Sequence, residues 1–111
     1  MNIQYTDRVK QSEEFELVQK ATAMLEEVLG SKNAPLMSGE WDRTDGETAP
    51  SAFMLRLHNP DGETAGRFNQ NDLQNPSRRE LLLRGLWSNL LGQRLDRLLH
   101  NLADEGGGNA A

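Results

Sequence analysis

The chain has no cysteine, few aromatic residues and no long apolar run. Among its 111 residues, Phe, Trp and Tyr together make up 5%, and cysteine is absent. The absence of cysteine excludes disulfides, a thiolate zinc site and a cysteine nucleophile. No apolar run approaches the roughly 20 residues that a membrane-spanning helix needs. Because aromatic residues are scarce, aliphatic side chains must fill most of the core.

Positive charge is also in the minority. Lys and Arg number 12 against 17 Asp and Glu, so the formal net charge is -5. An acidic balance disfavours non-specific binding to nucleic-acid phosphates and to anionic membranes. We therefore expect neither as a partner. Residues 1–11 lack the apolar segment of a signal peptide, which with the absence of cysteine favours a cytoplasmic protein.

Motifs for catalysis and for metal or cofactor binding are missing. Neither His58 nor His100 has a second histidine or a carboxylate at metal-ligand spacing. Residues 42–47 carry carboxylates and a glycine, but not with the ligand spacing of a calcium loop. We predict a non-enzymatic protein without catalytic residues, metal or cofactor. A ligand-binding or enzymatic domain whose site has no familiar motif ranks third, behind the two hypotheses given below.

The hydrophobic pattern predicts a single α+β domain over residues 12–103. An amphipathic helix over residues 12–29 is expected to end at Gly30, which is suited to the left-handed conformation. Three strands are predicted, at residues 39–44, 51–58 and 63–68. The order is α-β-β-β-α, with two helices packed on one face of a small three-stranded antiparallel sheet.

The two ends of the chain are predicted to lie outside this domain. Residues 1–11 are expected to form a weakly structured arm, although a short edge strand is an alternative. Residues 104–111 are expected to form a flexible Gly-rich tail. Residues 69–75 between the last strand and the last helix are expected to form a polar loop.

The best-defined turn is Asn59-Pro60-Asp61-Gly62, which joins the last two strands. Two registers are open, and a slip of one residue reverses every side chain. We prefer the register that pairs His58 with Glu63, since it places Phe68 beside Phe53 on the apolar face. The opposite, open face is then a candidate binding surface. Its candidate residues are Met54, Arg56, His58 and Arg67.

The C-terminal helix carries more leucine than one core needs. Ten of the 17 leucines lie between Leu81 and Leu102, and Asn75-Pro76 predicts the start of the helix. A main stripe is expected to face the sheet and the first helix. It contains Leu83, Trp87, Leu90, Leu91, Leu98 and Leu102. A second line has alternating spacings of four and three, as in a heptad seam. It contains Leu81, Gly85, Ser88, Gly92, Leu95, Leu99 and Leu102.

The glycines of this second line indicate close approach of another backbone, because each costs up to about 1 kcal/mol in a helix interior. The approaching element is either the first helix of the same chain or the same helix of a second subunit. The surplus of leucine favours a homodimer. The candidate contact residues are Leu82, Gly85, Leu86, Ser88, Gly92, Leu95 and Leu99. Arg84 is expected either to reach water beside Glu80 or to form an interface ion pair.

The predicted element order is similar to that of double-stranded RNA-binding domains. Those domains carry basic residues at the start of the last helix, where Arg78 and Arg79 stand here. The resemblance implies, as an alternative function, a nucleic-acid-binding domain that uses these two residues with Arg56 and Arg67. Our leading hypothesis is a small acidic interaction module that homodimerises through the Leu-rich helix and offers its open face to a protein partner.

Overall fold

A computed structural model describes the backbone of residues 1–44 and 52–110, and the side chains as far as Leu102. The elements are β1 (Asn2–Tyr5), α1 (Asp7–Lys10), α2 (Phe15–Asn33), a 3-10 turn (Ala34–Leu36), β2 (Ser38–Thr44), β3 (Ala52–Asn59), β4 (Gly62–Phe68), α3 (Gln70–Gln74) and α4 (Pro76–Ala110). The predicted α+β class is confirmed. Residues 45–47, included in the calcium-loop comparison, lie outside the described residues.

The sheet is mixed and has four strands, so the prediction of a three-stranded antiparallel sheet is wrong in that detail. The strand order is β1-β2-β3-β4, with β1 parallel to β2 and the other pairs antiparallel. The N-terminal segment contributes β1 and α1 rather than a weakly structured arm. It is held by contacts distant in sequence, since the hydroxyl of Tyr5 donates to Oγ1 of Thr22 at 3.0 Å.

Helix α2 lies on the core with the predicted stripe inward. The helix begins at Phe15 instead of residue 12, and the hydroxyl of Ser12 donates to the carbonyl of Val9 at 2.6 Å. Gly30 interrupts it with φ 78° and ψ 171°, a backbone that side chains with a Cβ rarely adopt. The buried residues of the stripe are Val18, Ala21, Leu25 and Leu29.

The hairpin of β3 and β4 has the preferred register. His58 pairs with Glu63 and Phe53 pairs with Phe68. The side chain of Asn59 holds the turn, since its Oδ1 accepts from the N–H groups of Asp61 and Gly62 at 2.9 and 3.2 Å. The inward faces of β2, β3 and β4 form the core with α2 and α4. Its largest fully buried side chains include Trp41, Phe53, Phe68, Leu55 and Leu57.

Residues 69–75 differ from the predicted polar loop, because α3 occupies most of them. Asn69 and Asp72 form a reciprocal capping box at its start, and Leu73 is fully buried. Asn75 caps α4 by accepting from the N–H of Ser77 at 3.0 Å. The helix continues to Ala110, through the stretch predicted as a tail. No proline interrupts it there.

Candidate functional site

The candidate site is the face of α4 that points away from the fold. The opposite face of α4 packs on the rest of the fold, since Leu83 and Leu90 are fully buried there and Leu86 is 8% exposed. Leu86 packs over β4, because a Cβ on Gly66 would lie 2.8 Å from one of its methyl carbons. Two of the predicted contact residues therefore pack within the subunit: Leu86 belongs to the hydrophobic core, and Leu82 is partly buried against it.

Polar side chains complete the fold-facing side of α4 beyond Leu90. The amide of Gln93 bonds both backbone groups of Glu63, donating to its carbonyl at 2.7 Å and accepting from its N–H at 3.2 Å. Arg94 and Arg97 bind the carboxylate of Asp61 at 2.6 and 2.5 Å, and that side chain is only 6% exposed. These contacts fix the C-terminal half of α4 against the hairpin turn.

The second line of the sequence pattern runs along the opposite, solvent-facing side of α4. At 100° per residue it lies about 180° from the buried side. We name six of its seven residues the outer seam: Gly85, Ser88, Gly92, Leu95, Leu99 and Leu102. The seventh, Leu81, is 67% exposed and lies one helical turn before Gly85. A Cβ added to either glycine would meet nothing within 4 Å. Leu95, Leu99 and Leu102 are 56%, 53% and 63% exposed. Of the two options for the glycines, close approach of α2, which corresponds to the predicted first helix, is therefore ruled out within the described chain.

Two leucines flank the outer seam, and both were predicted to face the core. Leu91 and Leu98 are 39% and 49% exposed, and Leu102 from the same predicted stripe belongs to the outer seam. The physical reason is that Gln93, Arg94 and Arg97 occupy the fold-facing side. The spacing of the two arginines by three residues was the available signal, since it places both on one helix face. Arg84 forms an exposed pair with Glu80 at 2.9 Å.

The open face of the sheet carries its four candidate residues together, as predicted. Arg56, His58 and Arg67 are exposed and Met54 is half-buried. A concavity of about 770 Å³ on this face includes Arg56 and His58 in its lining. Acidic residues interrupt the basic ones, because the register sets Glu40 beside Arg56 and Glu63 beside His58. The open face is therefore polar and of mixed charge.

The four arginines of the nucleic-acid hypothesis do not form one basic surface. Arg79 is 7% exposed and donates to the carbonyl of Leu73 at 2.8 Å. Arg78 donates to the carboxylate of Asp72 at 2.9 Å. Arg56 and Arg67 lie on the open sheet face, in positions separate from this pair.

Asp72 is the carboxylate whose titration these contacts change most clearly. Burial tends to raise its pKa, but the Asn69 backbone N–H and the Arg78 guanidinium oppose burial and hold the pKa below the usual 3.8. The carboxylate thus stays ionised as a cap and ion-pair partner. This role accounts for Asp72 as part of the fold rather than as a catalytic acid.

Comparisons with known proteins leave the outer seam as the main functional clue. No family model matches the chain, and neither a curated protein nor a solved structure is significantly similar to it. Over the described residues, no group of three or more His, Asp or Glu side chains is placed to hold a metal ion. None of the helices in that part of the chain has the length and apolarity to cross a membrane.

Proposed function

We propose that the protein is a non-enzymatic interaction module whose subunits homodimerise through α4. The outer seam carries this proposal. It combines exposed leucines with small residues that leave room for a second helix. Of the original contact candidates, Gly85, Ser88, Gly92, Leu95 and Leu99 lie in it. Leu91, Leu98 and Leu102 join them, because the fold leaves all three exposed.

The exposed leucines of α4 offer an apolar gain that can be compared with the cost of forming a dimer. The five leucines of residues 91–102 are 39% to 63% exposed, and fully burying one leucine contributes about 1.5–3 kcal/mol. Counted on both subunits, covering them gives roughly 8–15 kcal/mol before costs. Association costs about 4–15 kcal/mol in lost freedom. The gain and the cost are of similar size, so we expect reversible association that depends on protein concentration.

The backbone of α4 is already ordered in the monomer, which lowers the cost of pairing. Its fold-facing side is held by Leu86 on β4 and by the bonds of Gln93, Arg94 and Arg97 to the hairpin. A preorganised surface loses less conformational entropy on association than a segment that folds on binding. In such a dimer the open sheet face stays uncovered, as a surface for a protein partner. The absence of cysteine suits a cytoplasmic setting.

The first test is the molar mass as a function of concentration. Light scattering from about 1 to 300 µM should show a rise from 12.4 kDa towards twice that mass. The double substitution Leu95→Ser and Leu99→Ser should weaken association by at least about a hundredfold, since it removes two leucines of each subunit from the contact.

Leu36→Ser is the matched control for this test. Leu36 is 56% exposed, as is Leu95, but it lies on the 3-10 turn. The control should leave the dimerisation constant unchanged. A monomer across the whole concentration range contradicts the proposal, and so does a Leu36→Ser effect as large as that of the double substitution.

A further inference from the structure

We infer that the two α4 helices pair antiparallel, with the leucines of one helix set on the small residues of the other. This inference rests on the proposed dimer and adds its geometry. From Gly85 onwards the residues of the outer seam change size once: Gly85, Ser88 and Gly92 come first, and Leu95, Leu99 and Leu102 follow. Leu81, which precedes them on the same side of α4 and is 67% exposed, lies outside the paired stretch. Open space surrounds the two glycines in the monomer.

A parallel pairing fits this order poorly. It would set Gly85 on Gly85 and Gly92 on Gly92, with the leucines of both helices together at the other end. If the two axes stayed equally far apart, at the distance that the leucines set, voids would remain among the small residues. If the small residues came into contact, the axes would have to diverge towards the leucine end. Close packing without voids is what helix pairs require.

An antiparallel pairing sets each seam leucine of one helix opposite a small seam residue of the other, and each such pair forms one layer of the contact. It sets Leu95 on Gly92 of the partner subunit, Leu99 on Ser88 of the partner subunit, and Leu102 on Gly85 of the partner subunit. The two-fold axis repeats each of these contacts, so six layers each hold one leucine and one small residue. The register keeps the alternation of four and three that places a knob of one helix into a hole of the other.

The flanking leucines support the same register. With the seam paired in this way, Leu91 comes to lie beside Leu98 of the partner subunit. All five exposed leucines of residues 91–102 are then covered. The overlap from residue 85 to residue 102 is about 27 Å long at 1.5 Å per residue.

The arrangement also avoids a clash between the two sheets. The outer seam lies opposite the face on which each α4 contacts β4 and α2. The body of each subunit therefore lies on the far side of the helix pair from its partner. The open sheet faces point outward in opposite directions, so the dimer presents two equivalent copies of that face.

Disulfide trapping tests the register, and the cysteine-free chain suits it without further substitution. The variants Ser88→Cys and Leu99→Cys are prepared separately, mixed in equal amounts above the dimerisation constant and equilibrated in a glutathione redox buffer. Circular dichroism checks the fold of each, and intact mass separates the mixed disulfide from the two homodisulfides. Light scattering of the unmodified protein at the same concentration reports the dimer.

The antiparallel register predicts that the mixed disulfide exceeds either homodisulfide by about tenfold or more, since like positions lie too far apart to be bridged. Their separation along the helix axis is about 16 Å, or 11 residues. A dominant Ser88→Cys homodisulfide would overturn the inference in favour of parallel pairing. A dimer without any of these disulfides would overturn it in favour of another contact surface, whereas a monomeric protein would refute the proposed function itself.

Discussion

At the scale of single residues, Asp72 links α3 to α4 through Arg78. We expect it to make the free energy of unfolding depend on pH in the acidic range. Its carboxylate accepts from the N–H of Asn69 at 3.0 Å and from Arg78 at 2.9 Å. Because its folded-state pKa is lowered, the ionised carboxylate contributes stability above its ordinary pKa of 3.8. That contribution is lost as the pH falls from there through the folded-state pKa.

We therefore predict that Asp72→Asn lowers the free energy of unfolding by about 1–2 kcal/mol at pH 7. The difference from the unmodified protein should shrink steadily below about pH 4, where the unmodified carboxylate also becomes protonated. Urea unfolding followed by tryptophan fluorescence between pH 7 and 2.5 measures both quantities. Glu26→Gln, on the exposed side of α2, is the control of equal charge change. A difference for Asp72→Asn that does not depend on pH would contradict this account.

At the scale of elements, the sequence predicted correctly those features that depend on a single apolar face. The stripe of α2 was predicted correctly because its apolar residues have a single periodicity. The hairpin register was predicted because only one of its alternatives sets Phe68 beside Phe53. Local chemistry also revealed the cap at Asn75, whose side chain accepts from the first N–H groups of α4.

The rotation of α4 about its own axis, which decides the residues that face the core, could not be derived from the sequence of this helix alone. Leucines surround its N-terminal half, so periodicity leaves several rotations possible. The choice is made by elements far away in sequence: Gly66 leaves room for Leu86, and Asp61 attracts Arg94 and Arg97. Strand β1 was missed as a firm prediction for the same reason, since its pairing with β2 joins residues more than 30 apart.

The ion pairs of Asp61 with Arg94 and Arg97, which attach α4 to the hairpin turn, can be tested by substitution. Asp61→Asn removes a nearly buried charge that two arginines share, and these arginines are 35% and 49% exposed. Because water partly screens both partners, we expect a loss of about 1–3 kcal/mol rather than the larger cost of a fully buried pair. Chemical denaturation measures the loss. Hydrogen exchange should also increase from residue 93 onwards, where α4 loses its anchor.

Arg84→Gln is the matched control for this change, because it breaks the exposed Arg84–Glu80 pair on the same helix. An exposed pair at this spacing contributes only about 0.3–0.5 kcal/mol. Equal losses for the two variants would show that the attachment to Asp61 contributes no more than a surface contact.

At the scale of the whole molecule, the fold separates two surfaces of different character. The outer seam is apolar and lies on α4, while the open face of the sheet is polar and carries both signs of charge. The helices lie between them, so that association through one surface leaves the other free. The net charge of -5 disfavours non-specific self-association, and specific pairing therefore has to come from packing at the seam.

Pairing through an apolar seam also predicts how the stability of the whole molecule responds to concentration and salt. Because the dimer forms only from folded chains, the thermal midpoint should rise by about 3–5 °C for each tenfold increase in protein concentration above the dimerisation constant. Sodium chloride up to 0.5 M should not weaken the dimer, since screening acts on charges, and sulfate should strengthen it. Differential scanning calorimetry at several concentrations measures the shift. For Leu95→Ser with Leu99→Ser the midpoint should stay constant up to the higher concentration at which this variant begins to associate. A dimer that dissociates with added salt would point to a charged interface elsewhere.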